Sequence, residues 1–174
     1  MFGYGSLAAE CHGGAVAVLR GHRRVWGVAM QNSRDLPGYK HYLLRSDGSR
    51  PDVFVAFVDL RAECCCSVTG RCVPVDDAEL ELLDRRERNY ERVDVTAYVD
   101  GAPAGTAWAY VGSARARARF DTGLCAGSAV VSRDYLEHVR AGLAALGAAE
   151  LAEFERSSGL ELLDVWDLER VENL

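Results

Sequence analysis

At 174 residues, with 49% hydrophobic and 26% charged content, the chain is long enough to bury a sizeable core in one domain, and its usage is not that of a disordered polypeptide. A formal charge of -6 at pH 7 argues against generic nucleic-acid binding, because a phosphate backbone attracts basic surfaces. No run of about 18 apolar residues occurs, and no basic segment precedes the first apolar residues, so neither a membrane span nor a secretory signal is expected and the cytoplasm is the expected compartment.

The chain opens with Met1-Phe2-Gly3-Tyr4-Gly5-Ser6-Leu7, a short apolar strand breaking into a tight turn. Gly5 lets the backbone approach a ligand, and successive amides in such a turn can cradle a carboxylate or a phosphate. The further glycines and the lysine of a phosphate loop are missing, so nucleotide binding is poorly supported. Residues 15–19, 24–31, 41–44, 53–60 and 67–73 read as strands, separated by the loop signals Asp35-Leu36-Pro37-Gly38 and Ser46-Asp47-Gly48-Ser49. Lys40 is the only lysine beside many arginines. That bias reflects coding composition and assigns no function. Cys64, Cys65, Cys66 and Cys72 lack the paired spacing of a structural zinc site, and no motif places His12, His22, His41 or His138 beside a nucleophilic thiol. Buried, inert thiols are the default reading.

The run Leu80-Glu81-Leu82-Leu83-Asp84-Arg85-Arg86-Glu87-Arg88-Asn89-Tyr90 predicts a short helix, capped by Asp76 or Asp77 and stopped near Asn89. Leu80, Leu83 and Glu87 share one face of it, so a carboxylate points inward. Burying a carboxylate without a partner costs several kcal/mol or raises its pKa, and groups tuned in this way are candidate general bases. Two plainer readings stay open: a nearby arginine pairs with Glu87, or the helix frays before it. Residues 92–99 alternate with period two and lead through a Gly/Pro-containing connection into a partner strand at 106–111. Arg115, Arg117 and Arg119 form a basic stripe, read as a solvated loop or an anion-facing rim. From Ser132, Tyr135, Leu136, Val139, Leu143 and Leu146 recur at helical spacing up to Gly147, an apolar stripe read as core. A second short helix and a strand over residues 160–171 complete the chain.

Two of these segments, Tyr4-Gly5-Ser6-Leu7 and Leu83-Asp84-Arg85-Arg86-Glu87-Arg88-Asn89-Tyr90, resemble the γ-glutamylcyclotransferase-like superfamily in content and in order. Gly21-His22-Arg23-Arg24-Val25-Trp26 is similar to its second strand, and Ser132-Arg133-Asp134-Tyr135-Leu136 to the start of its late helix. The chain departs from the pattern in the small, polar run Ala8-Ala9-Glu10-Cys11-His12 and in the cysteine triplet. The resemblance implies an α+β fold over residues 1–174, a mixed, curved sheet partly closed into a barrel with helices outside. It implies a cyclotransferase that releases 5-oxoproline from a small γ-glutamyl substrate, with Glu87 as general acid/base and Tyr4, Gly5, Ser6, Leu7 and Tyr90 holding substrate. It calls for no cofactor and no metal; from the charge and hydropathy, no nucleic-acid or membrane partner is expected, and a homodimer is left open. The leaving amine is left open, and so are two other readings: removal of a γ-glutamyl protecting group from a specialised amine metabolite, and a non-catalytic binding module on the same fold.

Overall fold

The computed structural model describes residues 1–10, 13–101 and 104–172. The elements in chain order are β1 (Phe2–Gly3), α1 (Ser6–Glu10), β2 (Ala15–Gln31), β3 (Lys40–Leu44), β4 (Phe54–Cys72), α2 (Asp77–Arg86), β5 (Tyr90–Asp94), β6 (Val99–Asp100), β7 (Trp108–Gly112), α3 (Ala114–Cys125), β8 (Ala129–Ser132), α4 (Arg133–Ala144), α5 (Ala148–Ser157), β9 (Asp164–Trp166) and β10 (Leu168–Glu172). Cys11 and His12 of the polar run, and Ala102 and Pro103 of the expected connection, lie outside the described residues.

The fold is α+β, around a central mixed sheet. Its strands run in the order β6-β2-β4-β8-β9, with β1 pairing antiparallel to β4. The β4-β8 and β8-β9 pairings are parallel and the others antiparallel. Two ribbons, β3-β10 and β5-β7, lie off this sheet. Among the described strands the pairings trace an open path, with no closed circuit.

Four of the expected strands merge into two. Residues 15–19 and 24–31 belong to the single strand β2, and 53–60 and 67–73 to β4, each paired to the other along its length. The expected gap at Gly21 is a bulge: Arg20 lies opposite Ser67 and His22 opposite Ala62, so residues 63–66 face one glycine at φ +71°. Chain that bulges outward cannot bury its side chains. Cys64 and Cys65 are therefore exposed and Cys66 partly so, contrary to the reading of buried thiols, which holds for Cys72 alone among these four.

Three further expectations are corrected. The arginine stripe is not a loop but the helix α3, because alanine and arginine are strong helix formers and the run turns Ala116, Phe120 and Gly123 toward the core, with Ser113 capping its first turn. The strand expected at 92–99 stops at Asp94, where the Asp94 carboxylate takes the Thr96 N–H and hydroxyl and turns the chain into a short 3-10 helix. The strand expected at 160–171 is a 3-10 turn followed by β9 and β10, which pair in different sheets.

Asp59, fully buried, ties these layers together. It accepts hydrogen bonds from the N–H groups of Leu60 and Gly112 and from Arg117 Nε, and pairs with Arg61. Gly112 is needed at this junction: a Cβ there would lie 2.7 Å from Asp59 Oδ1. A buried carboxylate surrounded in this way is satisfied, and it fixes α3 and β7 against β4.

Candidate active site

The expected helix is α2. Asp76 caps it, and Asp76 and Glu79 form a reciprocal capping box that contributes about 1 kcal/mol. It ends one residue before Glu87, which takes the C-cap position and donates its N–H to the Leu83 carbonyl. The carboxylate still faces inward, with its side chain 15% exposed, although Leu80 and Leu83 are only half-buried beside it. The plainer readings are both partly met: the helix stops short, and Arg86 Nε lies 3.1 Å from Glu87 Oε1. The rest of the Arg86 fork is held by Glu10, whose two oxygens it contacts at 2.8 Å each. Arg86 thus divides its charge between two carboxylates. Burial raises the Glu87 pKa above the ordinary glutamate value, outweighing the opposing pull of Arg86 and Lys40.

Glu87 stands where two concavities meet. One is a cavity of about 330 Å³, walled by β3 and β10 on one side and by the start of α4 on the other. The second is a crevice of about 30 Å³, lined by Tyr4, Gly5, Ser6 and Leu7. Ser6, Glu87, Tyr90 and Tyr135 line both. All six residues singled out in the sequence, Tyr4, Gly5, Ser6, Leu7, Glu87 and Tyr90, therefore border one continuous hollow.

Their individual environments differ. Ser6 begins α1, so the expected tight turn is a helix start, and the Gly5 carbonyl accepts the Ala8 N–H at 3.0 Å. The Tyr4 hydroxyl donates to the Tyr110 carbonyl at 2.5 Å and the Tyr90 hydroxyl to the Val58 carbonyl at 2.7 Å, so each proton is engaged by backbone. Burial raises both phenol pKa values, which keeps the rings neutral. Gly5 is not among the glycines at positive φ. Space is what it supplies: a Cβ there would meet Val58 and the Tyr135 hydroxyl at 3.7 and 3.8 Å, ordinary contact distances. A single methyl fits, whereas the branches of valine must enter the crevice. Gly5→Ala is expected to unfold near the parent's midpoint, while a folded Gly5→Val should bind 5-oxoproline about tenfold more weakly or worse by calorimetry. Parent-like binding by the valine variant would remove the ligand from this turn.

Several residues of the hollow escaped the sequence. Tyr135 was placed in the core stripe of α4, and its ring does pack edge-on against Phe57 with centroids 5.1 Å apart. Tyr135 nevertheless lines the cavity, and its hydroxyl accepts the Val58 N–H at 3.4 Å with no acceptor for its own proton among the described residues. Tyr39, Lys40, Tyr42 and Arg170 come from β3, its lead-in and β10. Asn89, read as a helix stop, is buried and links Arg119 of α3 to the Tyr39 hydroxyl, at 2.8 and 3.2 Å. Arg119 is thus a brace for the cavity wall rather than a rim facing an anion. Of that wall the sequence showed only the strand at 41–44, and the lone lysine was read as carrying no function.

Among the described residues, no group of three or more His, Cys, Asp or Glu side chains is placed to hold a metal ion. No described helix is long and apolar enough to cross a membrane. The family model described as gamma-glutamyl cyclotransferase, AIG2-like, matches residues 1–136, which include the turn, Glu87 and Tyr135. No curated protein matches the chain.

Proposed function

The chain belongs to the AIG2-like γ-glutamyl cyclotransferase family, and from that premise we propose that it converts a small γ-glutamyl compound into 5-oxoproline and a free amine, with Glu87 as the proton carrier. One observation carries this reading: an inward-facing carboxylate of raised pKa stands where the crevice at Gly5, Ser6 and Leu7 opens into a larger cavity.

The reaction needs little more than such a group. The substrate's α-ammonium is no nucleophile until it loses a proton, and Glu87 accepts that proton. The amine then attacks the γ-carbonyl, Glu87 gives its proton to the departing nitrogen as the C–N bond to the leaving group breaks, and Glu87 then takes the surplus proton from the new ring nitrogen and passes it to the released amine, ending as the carboxylate it began as. Amides around Gly5, Ser6 and Leu7 hold the α-carboxylate, folding the glutamyl chain so that amine and carbonyl meet. The free proton of Tyr135 can stabilise the oxyanion that forms at the γ-carbonyl. Tyr4 and Tyr90 serve as neutral walls. No covalent enzyme intermediate is required. The single-domain organisation, the partly closed barrel and the cytoplasmic setting belong to the same reading.

Incubation with a panel of γ-glutamyl compounds, followed by mass spectrometry for 5-oxoproline, tests the activity directly. Release of free glutamate without 5-oxoproline would reject it. The acid side of the pH profile tests the role of Glu87. Its carboxylate is the base, so activity is present above its pKa and lost as pH falls through it; because burial raises that pKa, kcat/KM is expected to decline at a higher pH than an exposed glutamate would set. Arg86→Gln should move the decline higher still, since Arg86 favours the charged form. A profile flat down to the range of exposed carboxylates would contradict the assignment.

A further inference from the structure

Lys40, the chain's only lysine, lines the outer cavity but not the crevice. Its ammonium lies 4.4 Å from the centroid of the Phe57 ring and 5.6 Å from that of Tyr39. Among the described residues no carboxylate comes within ion-pair distance of it. The cavity's arginines are different: Arg86 is held by Glu10 and Glu87, and Arg170 by Glu172. Burial, with help from the Arg170 guanidinium, lowers the Lys40 pKa to about 8, so it remains largely charged at neutral pH. A desolvated cation is costly, and ring faces return only part of the hydration it loses. An anion on a ligand would return the rest.

Which end of the substrate meets Lys40 follows from the position of Glu87. On that reading the glutamyl α-carboxylate sits at the crevice, whose volume of about 30 Å³ suits a group of that size, and Glu87 must reach both the α-amine and the departing nitrogen. The leaving group therefore extends from Glu87 away from the crevice, into the cavity that Lys40 lines. We propose that Lys40 is a subsite for a carboxylate carried by the leaving amine, so that the protein favours γ-glutamyl amino acids over γ-glutamyl amines of the same size. This inference rests on the cyclotransfer reading.

The test compares γ-glutamyl-L-alanine with γ-glutamyl-ethylamide, which differ only in the leaving group's carboxylate. The parent is expected to favour the alanine compound by about tenfold or more in kcat/KM, the scale of one charge-assisted hydrogen bond. Lys40→Met and Lys40→Gln should collapse that ratio toward unity, with most of the loss on the alanine compound and in KM, and Lys40→Arg should keep part of it. Glu87 serves both compounds, so its response to the loss of a neighbouring cation cancels in the ratio. Equal use of the two compounds by the parent overturns the inference, and so does an equal loss on both in the neutral variants, which would place the glutamyl α-carboxylate at Lys40 instead. Absence of 5-oxoproline from both compounds would reject the cyclotransfer reading and the subsite with it.

Discussion

Glu87→Gln is expected to keep the fold and lose turnover by about a hundred- to ten-thousand-fold, the usual effect of deleting a general base. Glutamine preserves the shape at the C-cap, and the backbone bond to Leu83 does not involve the side chain. What changes is proton affinity: an amide takes up no proton at neutral pH, so the α-ammonium stays protonated and cannot attack. The variant also leaves Arg86 with Glu10 as its remaining carboxylate partner, an exchange at the cavity rim that costs little stability. Circular dichroism and an unfolding midpoint close to the parent's would show that the loss is chemical. A folded Glu87→Gln protein with near-normal turnover would end the assignment.

A larger effect is expected from a change in the substrate. N-acetylation of the glutamyl α-amine should abolish reaction, because the resulting amide nitrogen is neither basic nor appreciably nucleophilic. Altering the amine at the γ-carbonyl should change the rate only by degree. A hydrolase would behave in the opposite way: it would cleave the N-acetyl compound by attack of water and release N-acetylglutamate, with no need of the α-amine. Following both compounds by mass spectrometry separates the two mechanisms. Appearance of N-acetylglutamate would sink intramolecular attack even if Glu87 proved essential.

What the sequence revealed of the site is its local part. The phase of Leu80, Leu83 and Glu87 turned the carboxylate inward, and that phase survived although the helix ends at Arg86. Asp76 was legible as a cap because capping chemistry lies within four residues. The opposite wall was not legible. Lys40 and Tyr42 face Glu172 and Arg170 through the pairing of β3 with β10, strands far apart in the chain, and no local period encodes such a partnership. Tyr135 was misplaced for a related reason. Helical spacing says which face it occupies, but not that the hydroxyl at the end of a core-packed ring emerges into a cavity. Arg115, Arg117 and Arg119 misled because their alternation with alanine has a period of two, which hides the helical period. Only the covering of Asp59 and the bracing of Asn89 give Arg117 and Arg119 their purpose.

The β3-β10 ribbon has five paired positions and, among the described strands, no third partner. A two-stranded ribbon is marginal by itself and depends on what it packs against, whereas β2 and β4 hold one another over most of their length. On the Lys40 side of the hollow, opening is therefore expected at this ribbon, whose amides should exchange faster than those of β2 and β4. On the proposed reading, substrate and product would pass through that side without disturbing the Glu87 carboxylate, and a lesion in β10 is expected to weaken binding of the leaving group before it slows proton transfer.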